Sequence, residues 1–231
     1  MFPVERMEAA PAQVEHVLAL AGCTQGAVLD LCCGPGRHSV GFARRGFQVT
    51  GVDRTQFLLD RASERAAAAG VNVEWVREDM RRFQRANAFD LVCSLFTSFG
   101  YFQQDSEELL VLQNVCQSLK PGGVLILEML GKEWLAREWK DAISTDFPDG
   151  TLLLQRVRMN SEWSRILNQW YLLKEGRYRT FEFEHTVYSG RELKDRMLQA
   201  GFERVDLFGD LSGAPYGLNA KRLVAVARKA R

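Results

Sequence analysis

The chain has 231 residues, 46% of them hydrophobic, which is enough for one sizeable α/β domain with its own core. The 30 basic and 29 acidic side chains leave a net charge of +1, so no global field favours nucleic acid or an anionic membrane as a partner. The longest apolar run, Val124–Leu130, is too short to span a bilayer.

Cysteine usage and the N-terminus bear on the cellular compartment. The five cysteines form neither C-x-x-C pairs nor an even disulfide set. Met1–Arg6 shows no basic region followed by an apolar stretch, so it does not resemble a secretory signal. We therefore expect a reducing, cytoplasmic location.

The first half of the chain alternates strand and helix patterns. Apolar residues recur at helical spacing in some stretches, and short apolar runs bounded by turn residues lie between them. The predicted elements are helix 11–21, strand Ala27–Leu31, strand Phe47–Val52, helix Thr55–Ala69, strand Val71–Val76, strand Phe89–Leu95, helix Ser106–Leu119 and strand Val124–Met129. This order predicts a parallel sheet with helices on both faces.

The loop after the first strand predicts a nucleotide-sized pocket. The strand carries Asp30 near its end and is followed by Gly34 and Gly36, where a side chain would block close approach of a ligand to the backbone. The second strand is closed by Asp53, at the place where a carboxylate meets ribose hydroxyls. A carboxylate at Asp30 would repel a pyrophosphate, and Ser39 stands where G-x-G-x-x-G needs its last glycine, so a dinucleotide is the minor alternative.

Several motifs together resemble the class I S-adenosylmethionine-dependent methyltransferases. They run from about residue 26 to residue 128, and the likeness resumes near the C-terminus. The segments that carry it are Val28–Gly36, Gly51–Asp53, Glu78–Met80, Phe89–Val92 and Leu119–Gly123. The resemblance implies a doubly wound, seven-stranded, mostly parallel sheet, S-adenosylmethionine as cofactor with S-adenosylhomocysteine as product, and no metal.

The resemblance also implies which residues bind the cofactor. They are Asp30, Cys32, Gly34 and Gly36 at the methionine end, Asp53 on the ribose, Arg54, Asp79 and Met80 around the adenine, and Leu95 after the fourth strand. Two of them depart from the family pattern. Cys32 stands where the loop usually has its first glycine, which implies a slightly different loop contour. Arg54 stands where an apolar residue commonly lies against the adenine, and its guanidinium can stack there instead.

An aromatic loop follows the fourth strand. Ligands bind beyond the carboxyl ends of parallel strands, so Phe96, Phe99 and Tyr101 are candidates for substrate contact. Packing against a neighbouring helix is the equally open alternative. The loop lacks the Asn-Pro-Pro-aromatic string of nucleobase amine methyltransferases and a Pro-Cys nucleophile. It also lacks a carboxylate that would hold a divalent ion.

The pattern changes after the fifth strand. Alternating residues predict three strands, Thr151–Arg158, Arg165–Glu175 and Tyr178–Val187, within an antiparallel insertion at 130–188 of a single domain, 1–231. A helix (Arg191–Ala200) and a final strand pair (Phe202–Phe208 and Arg222–Ala227) follow. This ending is similar to the reversed last strand of the resembling family.

Small-molecule methyltransferases have a similar insertion, which walls the acceptor pocket and sometimes forms a dimer interface. That analogy makes His185 and Tyr188 the candidates for acceptor contact or proton removal, and implies a possible homodimer through the insertion. The alternative for His185 is an ordinary buried or exposed residue of the sheet.

The resemblance implies SN2 transfer of a methyl group to a nitrogen or oxygen atom of a small molecule. A general base is needed only for an alcohol or a protonated amine. Two alternatives stay open: a methyltransferase of RNA or protein, which would show an open basic groove, and a regulatory subunit that binds the cofactor without turnover.

Overall fold

A seven-stranded sheet forms the centre of the molecule in the computed structural model, which describes residues 7–231. Met1–Arg6, on which the expectation about a secretory signal depends, lies outside the described residues. The strands are β1 (Ala27–Leu31), β2 (Gln48–Asp53), β3 (Glu74–Arg77), β4 (Phe89–Ser94), β5 (Leu119–Met129), β10 (Arg204–Phe208) and β11 (Leu223–Arg228). Their order is β10-β11-β5-β4-β1-β2-β3.

The sheet is parallel except at one strand. β11 runs antiparallel to both of its neighbours, β5 and β10, while the pairs among β5, β4, β1, β2 and β3 are parallel. The strand order reverses between β1 and β4, so a crevice opens at their carboxyl ends. The predicted doubly wound, mostly parallel sheet is confirmed.

Helices lie on both faces of the central sheet and in the insertion. They are α1 (Ala10–Ala21), α2 (Arg37–Arg44), α3 (Gln56–Ala68), α4 (Asp105–Ser118), α5 (Lys132–Glu138) and α6 (Gly190–Gln199). Successive strand residues pack on opposite faces: Val28 joins a cluster with Val14 and Val17 of α1, whereas Leu29 joins one with Leu112 of α4. No helix within residues 7–231 is long and apolar enough to cross a bilayer.

A second, four-stranded antiparallel sheet follows α5, and we call it the cap sheet. Its strands lie in the order β6 (Ala142–Asp146), β7 (Leu152–Met159), β8 (Arg165–Lys174) and β9 (Arg177–Thr186). The amide of Thr186 donates to the carbonyl of Gly100 at 2.7 Å, which ties β9 to the loop after β4. The cap sheet therefore sits at the carboxyl edge of the central sheet.

The structure differs from the sequence-based expectations at three places. The insertion holds a short helix, α5, and a fourth strand, β6, which were not predicted; every residue of β6 is exposed, so it lacks apolar alternation. β3 begins at Glu74, three residues later than expected. β5 begins at Leu119, five residues before the expected Val124, and its pairing with β4 shifts register near Pro121–Gly123.

Candidate functional site

A cleft of about 780 Å³ lies where the central sheet meets the cap sheet. This volume is within the range of small-molecule sites. The residues that line it include ten of the predicted site residues: Asp30, Cys32, Gly34, Asp53, Arg54, Asp79, Met80, Leu95, Phe96 and Tyr101. Four predicted residues are not among its lining: Gly36, Phe99, His185 and Tyr188.

The loop after β1 passes through left-handed backbone conformations. Cys32 has φ of 62° and Gly36 has φ of 73°. Cys32 therefore adopts the conformation that favours glycine, and its thiol lies 3.6 Å from Met80 Sδ. Burial and the nearby carboxylates raise the pKa of the Cys32 thiol to about 12, so it is not a nucleophile at neutral pH.

The Asp53 carboxylate joins the ends of β1 and β2. Its Oδ2 accepts a hydrogen bond from the amide of Gly34 at 3.0 Å, and its Oδ1 accepts one from the amide of Thr55 at 2.9 Å. The side chain is 8% exposed at the floor of the cleft. Each carboxylate oxygen keeps further acceptor capacity, which suits a diol.

Asp30 is a buried carboxyl with little compensation. It is 2% exposed, and Ser39 Oγ donates to its Oδ2 at 2.5 Å. Burial raises the pKa of Asp30 to about 6, against the opposing effects of the Ser39 hydrogen bond and of Arg37. A cationic ligand group beside it would favour the ionised form.

Protonation of Asp30 should make stability depend on pH. Because its folded pKa is raised above the unfolded value, Asp30 should contribute about 3 kcal/mol to the unfolding free energy of the ligand-free protein at low pH, and this contribution should be lost as pH rises from roughly 3 to 7. Burial lowers the pKa of His38 to about 3 and that of His185 to about 4, and both act in the opposite direction. Urea unfolding across this range measures the slope. Compared with the wild type, Asp30→Asn should change the slope by the contribution of Asp30, whereas Asp60→Asn, at an exposed aspartate of α3, should leave the slope unchanged. An unchanged slope in Asp30→Asn would contradict the assignment.

Asp79 is held by the arginine that follows it by two positions. Arg81 Nε donates to Asp79 Oδ1 at 2.9 Å, and Arg81 Nη2 donates to Oδ2 at 2.6 Å. These bonds are the main cause that lowers the pKa of Asp79 to about 2. The carboxylate is therefore ionised and oriented before any ligand arrives.

The other end of the cleft is aromatic and acidic. Tyr101 is 44% exposed, and its ring centroid lies 6.1 Å from that of Phe183. The cap sheet adds residues that the sequence did not single out: Arg165, Leu167, Glu182, Phe183 and Glu184. The alternating Glu182-Phe183-Glu184 string was the available signal.

His185 lies behind Tyr101 and does not line the cleft. It is 7% exposed, and the Tyr101 ring stacks on it at 5.2 Å. Asn168 Nδ2 faces both the Ile166 carbonyl, at 3.4 Å, and His185 Nδ1, at 3.2 Å, so it donates to this ring nitrogen. Burial, with the charge of Arg165, lowers the pKa of His185 to about 4. The ring is therefore neutral, with its proton on Nε2.

Tyr188 and Phe99 lie in the core. Tyr188 is 4% exposed, and its hydroxyl donates to Glu108 Oε2. Burial, followed by the Glu108 charge, raises the pKa of Tyr188. Phe99 is 1% exposed and stacks on Tyr188 at 6.0 Å. Phe99 and Tyr188 belong to the core cluster and are not among the residues that line the cleft, so their expected contact with an acceptor stays a prediction.

Within residues 7–231, no three histidine, cysteine or acidic side chains are grouped so that they could hold a metal ion.

Comparisons with known proteins agree with this geometry. Residues 28–123 match the family described as a methyltransferase domain. The chain is 26% identical over 204 residues to the cypemycin N-terminal methyltransferase of a Streptomyces species, which covers 87% of this chain and 82% of the relative. It is 30% identical over 101 residues to the dTDP-3-amino-3,4,6-trideoxy-alpha-D-glucopyranose N,N-dimethyltransferase of Streptomyces venezuelae, covering 44% and 41% of the two chains.

A solved structure shows the same fold. It is an S-adenosylmethionine-dependent methyltransferase from Clostridium acetobutylicum, with a TM-score of 0.81 at 16% identity. The superposition covers 97% of this chain and 92% of the other. The likeness therefore extends over the cap sheet as well as the central sheet.

Proposed function

Because this chain belongs to the class I S-adenosylmethionine-dependent methyltransferases, we propose that it methylates the nitrogen atom of a small-molecule amine. S-adenosylmethionine supplies a methyl group that is already activated by its sulfonium charge. The protein's own contribution is then to align the reactants and exclude water, which can lower a barrier by about 7 to 11 kcal/mol in favourable cases.

The cofactor end of the cleft supports this proposal through its donors and acceptors. Asp30 is a buried carboxyl that lacks a full countercharge, so it suits the cationic methionine end. Asp53 has acceptor capacity left beyond its two backbone partners, so it suits the ribose hydroxyls. Cys32, Gly34, Gly36, Arg54, Met80, Asp79 and Leu95 complete the proposed set.

The single observation that carries the choice of acceptor is the charge of the other end. Glu182 and Glu184 line the cleft together with Tyr101 and Phe183, and Arg165 of the cap sheet lies with its Nε 3.1 Å from Glu184 Oε2. Carboxylates and ring faces both attract ammonium groups. An amine with an apolar body fits this combination better than an acid or a phosphate.

Proton transfer also favours nitrogen over oxygen. An alcohol needs a general base, and His185 has one ring nitrogen accepting from Asn168 and the other carrying its proton. A neutral amine already presents its lone pair. His185 then supports Tyr101 from behind, and Glu182 is an exposed acceptor through which the proton of an arriving ammonium can leave.

The two alternatives are less well supported. An RNA methyltransferase would need basic side chains along the acceptor end, where acids outnumber Arg165. The cypemycin relative is named an N-terminal methyltransferase, so a peptide amine belongs in the test. A regulatory subunit would bind the cofactor without turning it over.

The test is an acceptor screen with the full chain. Purified protein, S-adenosylmethionine and a panel of small amines, matched alcohols and short peptides are incubated, and S-adenosylhomocysteine release and product mass are measured. Release that depends on small amines supports the proposal. Release with alcohols alone, with RNA or peptides alone, or with no acceptor while the cofactor binds tightly would overturn it.

Glu182→Gln tests the acidic side of the acceptor end. Loss of this charge should raise KM for a cationic amine about fivefold, since an exposed ion pair contributes up to about 1 kcal/mol. The control is Glu203→Gln, at an exposed glutamate just before β10. Both variants should bind S-adenosylhomocysteine equally well by calorimetry. An unchanged KM in Glu182→Gln would contradict the proposed acceptor contact.

We further propose that the chain forms a homodimer through the cap sheet and works in the cytoplasm. Support for the dimer comes from apolar side chains exposed on its strands, among them Tyr178 at 71% and Phe181 at 48%. Five free cysteines support a reducing compartment. Sedimentation of the purified chain at monomer mass over micromolar concentrations would contradict the dimer.

A further inference from the structure

The backbone is strained in the loop that follows β4 and lines the cleft. Phe96 and Thr97 are consecutive residues with φ of 60° and 55°, in the left-handed region. A bulky residue such as Phe96 or a β-branched residue such as Thr97 is rarely found there, and two consecutive residues in this region cost conformational free energy. Both residues line the cleft. Such conformations persist only when their surroundings hold them in place.

A buried ion pair supplies that hold. Glu128, in β5, is 3% exposed, and its Oε2 accepts a hydrogen bond from the amide of Phe96 at 2.7 Å. The amide of Thr97 donates to the Glu128 carbonyl at 3.0 Å. Arg222, directly before β11, donates to Glu128 Oε1 through Nε and to Thr97 Oγ1, at 3.1 Å, through Nη2.

The same arginine also reaches the Phe96 ring. The guanidinium carbon of Arg222 lies 5.7 Å from the ring centroid, and that of Arg37 lies 3.9 Å from it. Arg222 thus contacts the turn at three points: the carboxylate that binds the Phe96 amide, the Thr97 hydroxyl and the Phe96 ring. Two nitrogens of the planar guanidinium make the first two contacts at once, in a geometry that a single ammonium nitrogen does not reproduce.

We propose that Arg222 and Glu128 are positioning residues that hold Phe96 and Thr97 in this conformation and thereby set the wall between the cofactor and acceptor ends of the cleft. Neither Arg222 nor Glu128 lines the cleft, so they act through the turn. The expected effect of these residues on the rate of methyl transfer rests on the proposed function, whereas their effect on the conformation of Phe96 and Thr97 does not.

The first test is hydrogen exchange on the full chain without ligand. In Arg222→Gln, the amides of Phe96 and Thr97 should exchange at least about tenfold faster, because the carboxylate that binds one of them loses its anchor. The control is Arg204→Gln, at an exposed arginine of the neighbouring strand β10 whose partner is Asp206. It should leave both amides unchanged.

The second test separates positioning from folding and from cofactor binding. Arg222→Gln should lower kcat about tenfold or more, because small misplacements near the reacting groups are costly. S-adenosylhomocysteine affinity should stay within about threefold, since the predicted contacts of the adenosyl moiety lie elsewhere. Arg222→Lys keeps the charge on Glu128 but not the fork, so its kcat should fall between those of the wild type and Arg222→Gln.

Several outcomes would overturn the inference. Unchanged exchange at Phe96 and Thr97 in Arg222→Gln would do so, as would uniformly faster exchange across β11 and β5 in both Arg222 variants, which would mark a merely structural role. If exchange changes as expected but no acceptor is methylated, the proposed function fails and the assignment of the turn stands.

Discussion

Asp53→Ala should weaken binding of S-adenosylhomocysteine by about a hundredfold, as measured by calorimetric titration. The expectation rests on charge-assisted hydrogen bonds, each worth about 1.5 to 3 kcal/mol, of which two to a ribose diol would be lost. In the wild type, the amides of Gly34 and Thr55 donate hydrogen bonds to the Asp53 carboxylate. The variant loses both bonds, so the loop after β1 is no longer linked to the end of β2. About 3 kcal/mol corresponds to the stated factor.

Asp60→Ala is the matched control for this titration. Asp60 is an exposed aspartate one turn into α3, and its carboxylate accepts only from Gln56 of the same helix at 2.9 Å among the contacts described. It should bind the ligand as the wild type does. If Asp53→Ala kept its fold and bound within about threefold of the wild type, the ribose assignment would be untenable.

Gly36→Ala should lower the free energy of unfolding by about 3 kcal/mol or more. A Cβ at this position would lie 2.6 Å from Trp75 Cη2 and 2.7 Å from Ala62 Cβ. Ala62 is part of α3, so its backbone can move away only if the whole helix is displaced from the sheet. The left-handed φ of 73° adds a further cost.

Gly46→Ala separates the two causes. Gly46 has φ of 84°, and a Cβ there would meet no atom within 4 Å, so this variant reports the conformational cost alone. Its unfolding free energy should fall by only about 1 to 2 kcal/mol. Urea unfolding of both variants gives the difference, which measures the clash. Equal losses would show that Trp75 moves aside freely.

The cofactor half of the cleft was largely predictable from sequence. Asp30 and Asp53 stand near the ends of adjacent parallel strands, and such ends must meet at one edge of the sheet. The glycines of the loop could also be interpreted from the local sequence, because a short turn from a strand into a helix favours glycine at positions with positive φ. The residue type at Cys32 did not reveal its left-handed conformation, and the predicted Gly36 is not among the lining of the cleft.

The residues of the other half of the cleft could not be predicted in the same way. Their positions depend on how the cap sheet packs against the central sheet, and the alternation of residues in a strand does not indicate that packing. Alternation in β9 divides its residues between two faces without saying which face meets the cleft. His185 shares a face of β9 with Phe183, two residues away, which lines the cleft, but His185 pairs with the buried Ile166 and is covered by the stacked ring of Tyr101. The position of the Tyr101 ring, a tertiary contact, therefore keeps His185 out of the lining.

The burial of Tyr188 also depends on a tertiary contact. Its hydroxyl bonds to Glu108, 80 positions away, and nothing in the local sequence marks that partner. From the sequence alone, a glutamate on an amphipathic helix is predicted to be exposed, and only its contact with Tyr188 shows that Glu108 is buried. Glu128 and Arg222, 94 positions apart, escaped notice in the same way.

The two ends of the cleft come from separate stretches of the chain. Residues from Asp30 to Met80 form one end, and residues after Leu95 together with Arg165–Glu184 of the cap sheet form the other. If the two ends bind cofactor and acceptor as proposed, substitutions in β8 and β9 change which acceptor enters while the hydrogen bonds at the other end are kept. On that proposal, exchange of the cap sheet in a descendant or an engineered chimera exchanges substrate specificity without altering the cofactor site.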